Sequence, residues 1–95
     1  DYVGSISIDP ALMQRADIAE NERVDVLNVD NGERLTTYAI TGGPGEICLN
    51  GAAAHKAAKD DLVIICAYAW LTSEELADHA PRIVHVDAAN RPVAP

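Results

Sequence analysis

Phenylalanine is absent from this sequence, and there is one tryptophan (Trp70) and one methionine. Any core must therefore be built from Val, Ile, Leu and Ala. A core of that kind in 95 residues is marginal alone, so an oligomer is expected. Basic residues are few as well: seven Lys and Arg face fifteen Asp and Glu, a net charge of −8, and they cluster nowhere. That balance repels phosphate and excludes nucleic acid and anionic membrane as partners. No apolar run reaches membrane-spanning length, and the start has no signal-peptide pattern. The two cysteines, Cys48 and Cys66, lie inside the apolar stretches "EICLNG" and "LVIICAYAW". They read as buried free thiols in a reducing compartment, which makes the expected location cytoplasmic. His55, His79 and His85 lack the paired spacing of metal ligands, so no metal site is expected.

What is present is a folded composition, 48% hydrophobic, in a length that allows one domain over residues 1–95. Val3 to Ile8 alternates like a half-buried strand. Asp9-Pro10 opens a short helix, with Leu12 and Ala16 on its apolar stripe. "VDVLNV" (Val24 to Val29) alternates again, and Asn31-Gly32 signals a two-residue hairpin with both turn positions at positive φ. "ERLTTYAI" (Glu33 to Ile40) is the returning strand. Its alternation puts Arg34, Thr36 and Tyr38 on one face and Leu35, Thr37 and Ala39 on the other. "TGGPG" reads as a turn, "EICLN" as a strand and "GAAAHKAA" as a helical turn. "DLVIICAYAWL" (Asp61 to Leu71) reads as a long strand buried on both sides. Thr72 and Glu75 form a capping box for a helix through Ala80, and "RIVHVD" is a last strand before a trailing tail. The pattern is mainly β: a small barrel with short helical insertions.

Three stretches carry candidate chemistry. In "DYVGSISID", the pair Gly4-Ser5 is either an ordinary strand dipeptide or a bond meant to be broken. In "NGAAA" (Asn50 to Ala54), small side chains at a strand-to-helix corner either admit an anion to backbone N–H groups or serve tight packing. In "ERLTTY", Arg34 suits a carboxylate and Tyr38 a proton transfer, against the plain alternative of an exposed strand rich in β-formers. "GGPGE" lacks the Lys-Ser/Thr ending of a phosphate loop and precedes a strand, so it is a turn.

Taken in order, "YVGS", "NGERLTTYAI", "NGAAAH", "DLVIICAY" and "PRIVHVDAAN" resemble the bacterial aspartate 1-decarboxylase family along nearly the whole chain. The resemblance implies a double-psi β-barrel that assembles as a homotetramer, with active sites between neighbouring subunits. It implies that the chain cuts itself at Gly4-Ser5 and converts Ser5 into a covalently bound pyruvoyl group. Thr37 and Asn50 would assist that processing. The ketone would form a Schiff base with L-aspartate, whose α-carboxylate leaves as CO2 to give β-alanine for pantothenate and coenzyme A synthesis. Tyr38 would protonate the α-carbon, and Arg34 would bind a substrate carboxylate. Thr37, Gly51, Ala52 and Ala53 would complete the pocket. Tyr2, beside the processing site, is assigned no role.

The chain departs from the family in lacking a first strand before "YVGS" that carries a Lys and a His. Its "TGGPG" turn is shorter than in many relatives and lacks the arginine that some carry there, and Asp1 stands where relatives often have His. Two other classes compete with the enzyme: an unprocessed relative acting as a structural or regulatory subunit, and a barrel that binds a small anion without chemistry.

Overall fold

The computed structural model describes residues 4–94, so Asp1, Tyr2 and Val3 lie outside the described residues. The first strand, β1 (Ser5–Ile8), is buried along its whole length. A half-buried strand was expected. The difference comes from position: β1 runs between two neighbours, parallel to β3 (Arg34–Thr41) and antiparallel to β4 (Ile47–Asn50). Covered on both edges, it also buries its polar residues Ser5 and Ser7.

Helix α1 (Pro10–Ala16) follows. Asp9 caps it by accepting the Ala11 N–H at 2.7 Å, and Pro10 occupies the first turn, where a missing N–H costs nothing. Leu12 and Met13 face the core. The helix stops at Asp17, which takes a left-handed φ of 59°. Burying Leu12 and Met13 contributes roughly 1.5–3 kcal/mol each, enough to hold a helix too short to persist alone.

Strand β2 (Arg23–Asn28) pairs antiparallel with β3 and, on its other edge, with β5 (Val63–Cys66). The β2–β3 turn is not the expected two-residue hairpin. The Asn28 N–H donates to the Glu33 carbonyl, which leaves four residues, 29–32, in the loop, and only Gly32 (φ +77°) has positive φ there. The reason is Asn28, whose side-chain oxygen accepts the Asp30 N–H and so closes an Asx-type turn one step earlier. The Asn28 amide also donates to the Lys56 carbonyl and to Asp61. This buried side chain thereby ties the hairpin to the segment that leads into β5.

The strand order is β4-β1-β3-β2-β5, a sheet curled into half a barrel and consistent with a double-psi β-barrel. Its concave side holds Ile6, Ile8, Leu12, Met13, Val24, Val26 and Ala39, with Leu35, Ile47, Leu49 and Ile65 packed against them.

The C-terminal third departs furthest from the sequence reading. The expected long buried strand over 61–71 shrinks to the four residues of β5, with Ile64 half exposed and Trp70 fully so. Among the described residues only β2 pairs with β5, which is therefore an edge strand of the sheet. The capping box is present: Thr72 accepts the Glu75 N–H, and Glu75 accepts the Thr72 N–H. Helix α2 (Ser73–Ala77) nevertheless ends before Ala80, because no residue of it is buried. "RIVHVD" pairs only as β6 (His85–Val86), against β7 (Pro92–Val93) in what was expected to be a loose tail. The two free thiols are not buried either: Cys48 is exposed on β4 and Cys66 half-buried on β5.

Candidate functional site

The site is built where β1 begins. Gly4 is buried and takes a φ of +109°, a conformation that L side chains rarely adopt. A Cβ there would come within 2.9 Å of the Asn50 carbonyl oxygen and 3.0 Å of the Ala53 nitrogen. Position 4 therefore demands glycine twice over, by dihedral and by space. The consequence is a Gly4–Ser5 peptide pressed against the corner between β4 and the 3-10 turn over Gly51–Lys56.

Ser5 is fully buried and stands opposite Asn50 in the β1–β4 ladder. The Asn50 amide nitrogen donates to Ser5 Oγ at 3.0 Å and to Ser7 Oγ at 2.9 Å. Asn50 also occupies the N-cap position of the 3-10 turn, where an Asn side chain ordinarily accepts a backbone N–H. It makes no such cap. A side chain that gives up its local role in favour of two buried serines marks a place where local rules yield to something else.

On the other flank lies β3. The parallel register pairs Ile6 with Ala39. Ser5 and Gly4 precede that pair by one and two residues on the β1 side, as Tyr38 and Thr37 do on β3. Thr37 shares its face with core residues, and its hydroxyl is buried without a hydrogen-bond partner. Buried hydroxyls rarely stay unsatisfied, since the loss costs on the order of 1–3 kcal/mol. Tyr38 is half-buried on the opposite face, with Ser5 and Ser7.

The other residues named from the sequence are distributed as follows. Ala53 is buried and packs on Gly4, so the tight-packing reading of "NGAAA" holds there, while Gly51 and Ala52 are exposed. Arg34 sits four residues before Tyr38 on β3, about 13 Å along the strand. It lines a separate cleft of about 200 Å³ with Asp25, Leu35 and Thr36. There Thr36 donates to Asp25 at 2.7 Å. Within one chain, then, Gly4, Ser5, Asn50 and Ala53 meet directly, Thr37 and Tyr38 lie on the neighbouring strand β3, and Arg34 lies further along it. No group of three or more His, Cys, Asp or Glu that could hold a metal exists among the described residues, and no helix of them is long and apolar enough to cross a membrane.

Two contributors escaped the sequence reading. Ser7 was legible only as a strand residue, although its i, i+2 spacing from Ser5 puts both on one face. Asp9 was read as a helix cap alone. Its second oxygen also accepts the Gly45 N–H at 2.7 Å, which pins the "TGGPG" turn over the end of β1.

Comparison with known proteins places the chain among relatives. A sequence model of the aspartate decarboxylase family matches residues 1–93. A protein of Campylobacter hominis named aspartate 1-decarboxylase is 51% identical over 90 residues, covering 95% of this chain and 79% of its own length. One of Caldicellulosiruptor bescii with the same name is 56% identical over 93 residues, covering 96% and 73%. Aspartate 1-decarboxylase 1 of Gloeobacter violaceus is 54% identical over 96 residues, covering 99% and 81%. The chain belongs to the aspartate decarboxylase family.

Proposed function

We propose that this chain, as one domain over residues 1–95, is a self-processing decarboxylase that converts L-aspartate to β-alanine and CO2, supplying pantothenate and coenzyme A synthesis. The observation that carries the reading is the Gly4–Ser5 peptide, which is buried, has no room for a side chain at position 4, and has Asn50 hydrogen-bonded to the Ser5 hydroxyl.

The surroundings suit a bond that must be cut. Ser5 Oγ attacks the Gly4 carbonyl carbon. The C–N bond breaks as nitrogen takes up the proton, leaving an ester between Gly4 and Ser5 Oγ. The unpartnered Thr37 hydroxyl, on the neighbouring strand β3, supplies a hydrogen bond to the oxyanion formed on the way. Loss of the residue-5 α-proton expels the Gly4 carboxylate. Water then replaces the nitrogen, which departs as ammonia, and a ketone remains at position 5.

The residues present fit that group: the Asn50 amide stands beside residue 5 as a hydrogen-bond donor, and Ala53 packs against the peptide that precedes it. Bound there, a ketone supplies an electrophile for a primary amine and a sink for the electron pair left by departing CO2. Tyr38, on the strand that pairs with β1, carries the proton for the substrate α-carbon. Arg34 binds a substrate carboxylate. Thr37 and the backbone of Gly51, Ala52 and Ala53 line the pocket.

Arg34 reaches that pocket from a neighbouring subunit of a homotetramer. The exposed apolar side chains Tyr68, Trp70, Leu71 and Ile83 support such an assembly, being surface that a lone chain leaves wet. The free thiols Cys48 and Cys66 fit work in the reducing cytoplasm.

Intact-mass spectrometry on the purified chain tests this. The expected result is loss of residues 1–4 with residue 5 carried as a ketone, followed by β-alanine formation from L-aspartate. A chain that stays uncut, or a cut chain that does not turn aspartate over, overturns the reading.

A further inference from the structure

The structure assigns to Ser7 a role in self-processing: it is the positioning residue that holds the Asn50 amide on Ser5. This inference rests on the self-processing reading given above.

Asn50 has two amide N–H groups, and both are directed to serine oxygens, Ser5 at 3.0 Å and Ser7 at 2.9 Å. One oxygen is the nucleophile. The other belongs to a residue that takes no part in the bond cutting and is itself buried. The amide oxygen points the other way, with Cys48 Sγ at 3.5 Å. An amide can turn over by rotation, exchanging its donor and acceptor ends. Turned over, it would present an acceptor to Ser5 and hold the hydroxyl proton that the reaction must move. Because the Ser7 hydroxyl is bonded to the same end of the amide as Ser5, it holds that end at the β1 side of the ladder.

Ser7 is well placed to serve as the fixed point. It pairs with Ile40 on one side and Cys48 on the other, in the middle of the sheet rather than at an edge. A Cβ on Gly42 would lie 3.1 Å from the Ser7 Cβ, so the turn after β3 closes over it. Ser7 thus lies inside the strand with a partner on each edge. The anchored serine fixes the amide, and the amide in turn fixes the serine that reacts.

The test follows cutting of the newly made full chain over time by intact mass, in wild type, Ser7→Ala, Ser7→Thr, Asn50→Ala and the Ser7→Ala/Asn50→Ala double variant. Loss of the Ser7 hydroxyl is expected to slow cutting roughly tenfold, the scale of one lost hydrogen bond plus a misoriented partner. Ser7→Thr, which keeps the hydroxyl on a strand, is expected within about threefold of wild type. In the Asn50→Ala background, Ser7→Ala is expected to add nothing, because its effect passes through Asn50. A merely structural Ser7 would slow both backgrounds equally. That result, a wild-type rate in Ser7→Ala, or a Ser7→Thr as slow as Ser7→Ala would overturn the inference while leaving self-processing intact. A wild-type chain that never cuts would overturn both.

Discussion

The backbone nitrogen of Ala53 lies 3.0 Å from the point where a Cβ on Gly4 would sit. That closeness makes the peptide before Ser5 a glycine peptide by necessity, and it fixes the corner after β4 against the start of β1. Gly4→Ala must relieve a positive φ and displace the Ala53 segment together. It is expected to lower stability by about 2 kcal/mol or more and to abolish cutting. Chemical denaturation and intact mass measure the two losses. A Gly4→Ala chain that is as stable as wild type and still cuts would contradict the packing described here.

Thr37 offers the reverse signature. Its hydroxyl is buried and unpartnered, so removing it should not harm the fold. Thr37→Val is expected to leave stability unchanged or raise it by up to ~1 kcal/mol, while slowing cutting by about tenfold to a hundredfold. Stability and activity moving in opposite directions is the pattern of a group retained for chemistry. A variant that loses stability and cuts normally would show that the hydroxyl is structural.

Tyr38 separates processing from turnover. Tyr38→Phe is expected to cut at the wild-type rate, yet to lose about a hundredfold or more in kcat for aspartate with little change in KM. Single-turnover kinetics on the cut protein would decide the point. Undiminished decarboxylation would remove Tyr38 as the proton source.

Asp9 predicts a pH dependence. The Gly45 N–H, and after it the Ala11 N–H, hold its carboxyl below the usual carboxylate range. The folded pKa is depressed, so the ionised form is the one the fold favours. Its stabilisation is complete above the ordinary carboxylate pKa and is lost as pH falls through that value towards the lower folded one. Asp9→Asn is expected to melt lower than wild type at neutral pH. The gap should narrow as pH falls below about 4, where wild type begins to lose the same contribution. Melting curves across that range measure it, and a gap that stays constant with pH would show that the carboxylate charge contributes nothing.

Much of this was legible in the chain as a string of residues. Alternation located β1, β2 and β3, Asp9-Pro10 located α1, and Thr72 with Glu75 located the start of α2, because these are local preferences of a few neighbouring residues. The same locality explains the Asn31-Gly32 error. The dipeptide implied a two-residue hairpin, but Asn28, three residues earlier, closed a longer loop by accepting the Asp30 N–H. The "DLVIICAYAWL" run failed for a different reason. Apolar composition says that a segment needs covering, and not whether this chain provides the cover. In the structure β5 has one neighbour, and Trp70 is exposed.

By itself the sequence determined most of the local elements and, through motifs in register, the family. Only the tertiary structure decided which residues meet. It set Asn50 opposite Ser5, gave the second amide hydrogen to Ser7, buried the Thr37 hydroxyl without a partner, and left Arg34 further along β3. The physical reason is that the antiparallel β1–β4 pairing brings Ser5 opposite Asn50, far away in the chain, through backbone hydrogen bonds. Those bonds carry no side-chain signature, so register becomes visible only once the sheet has formed.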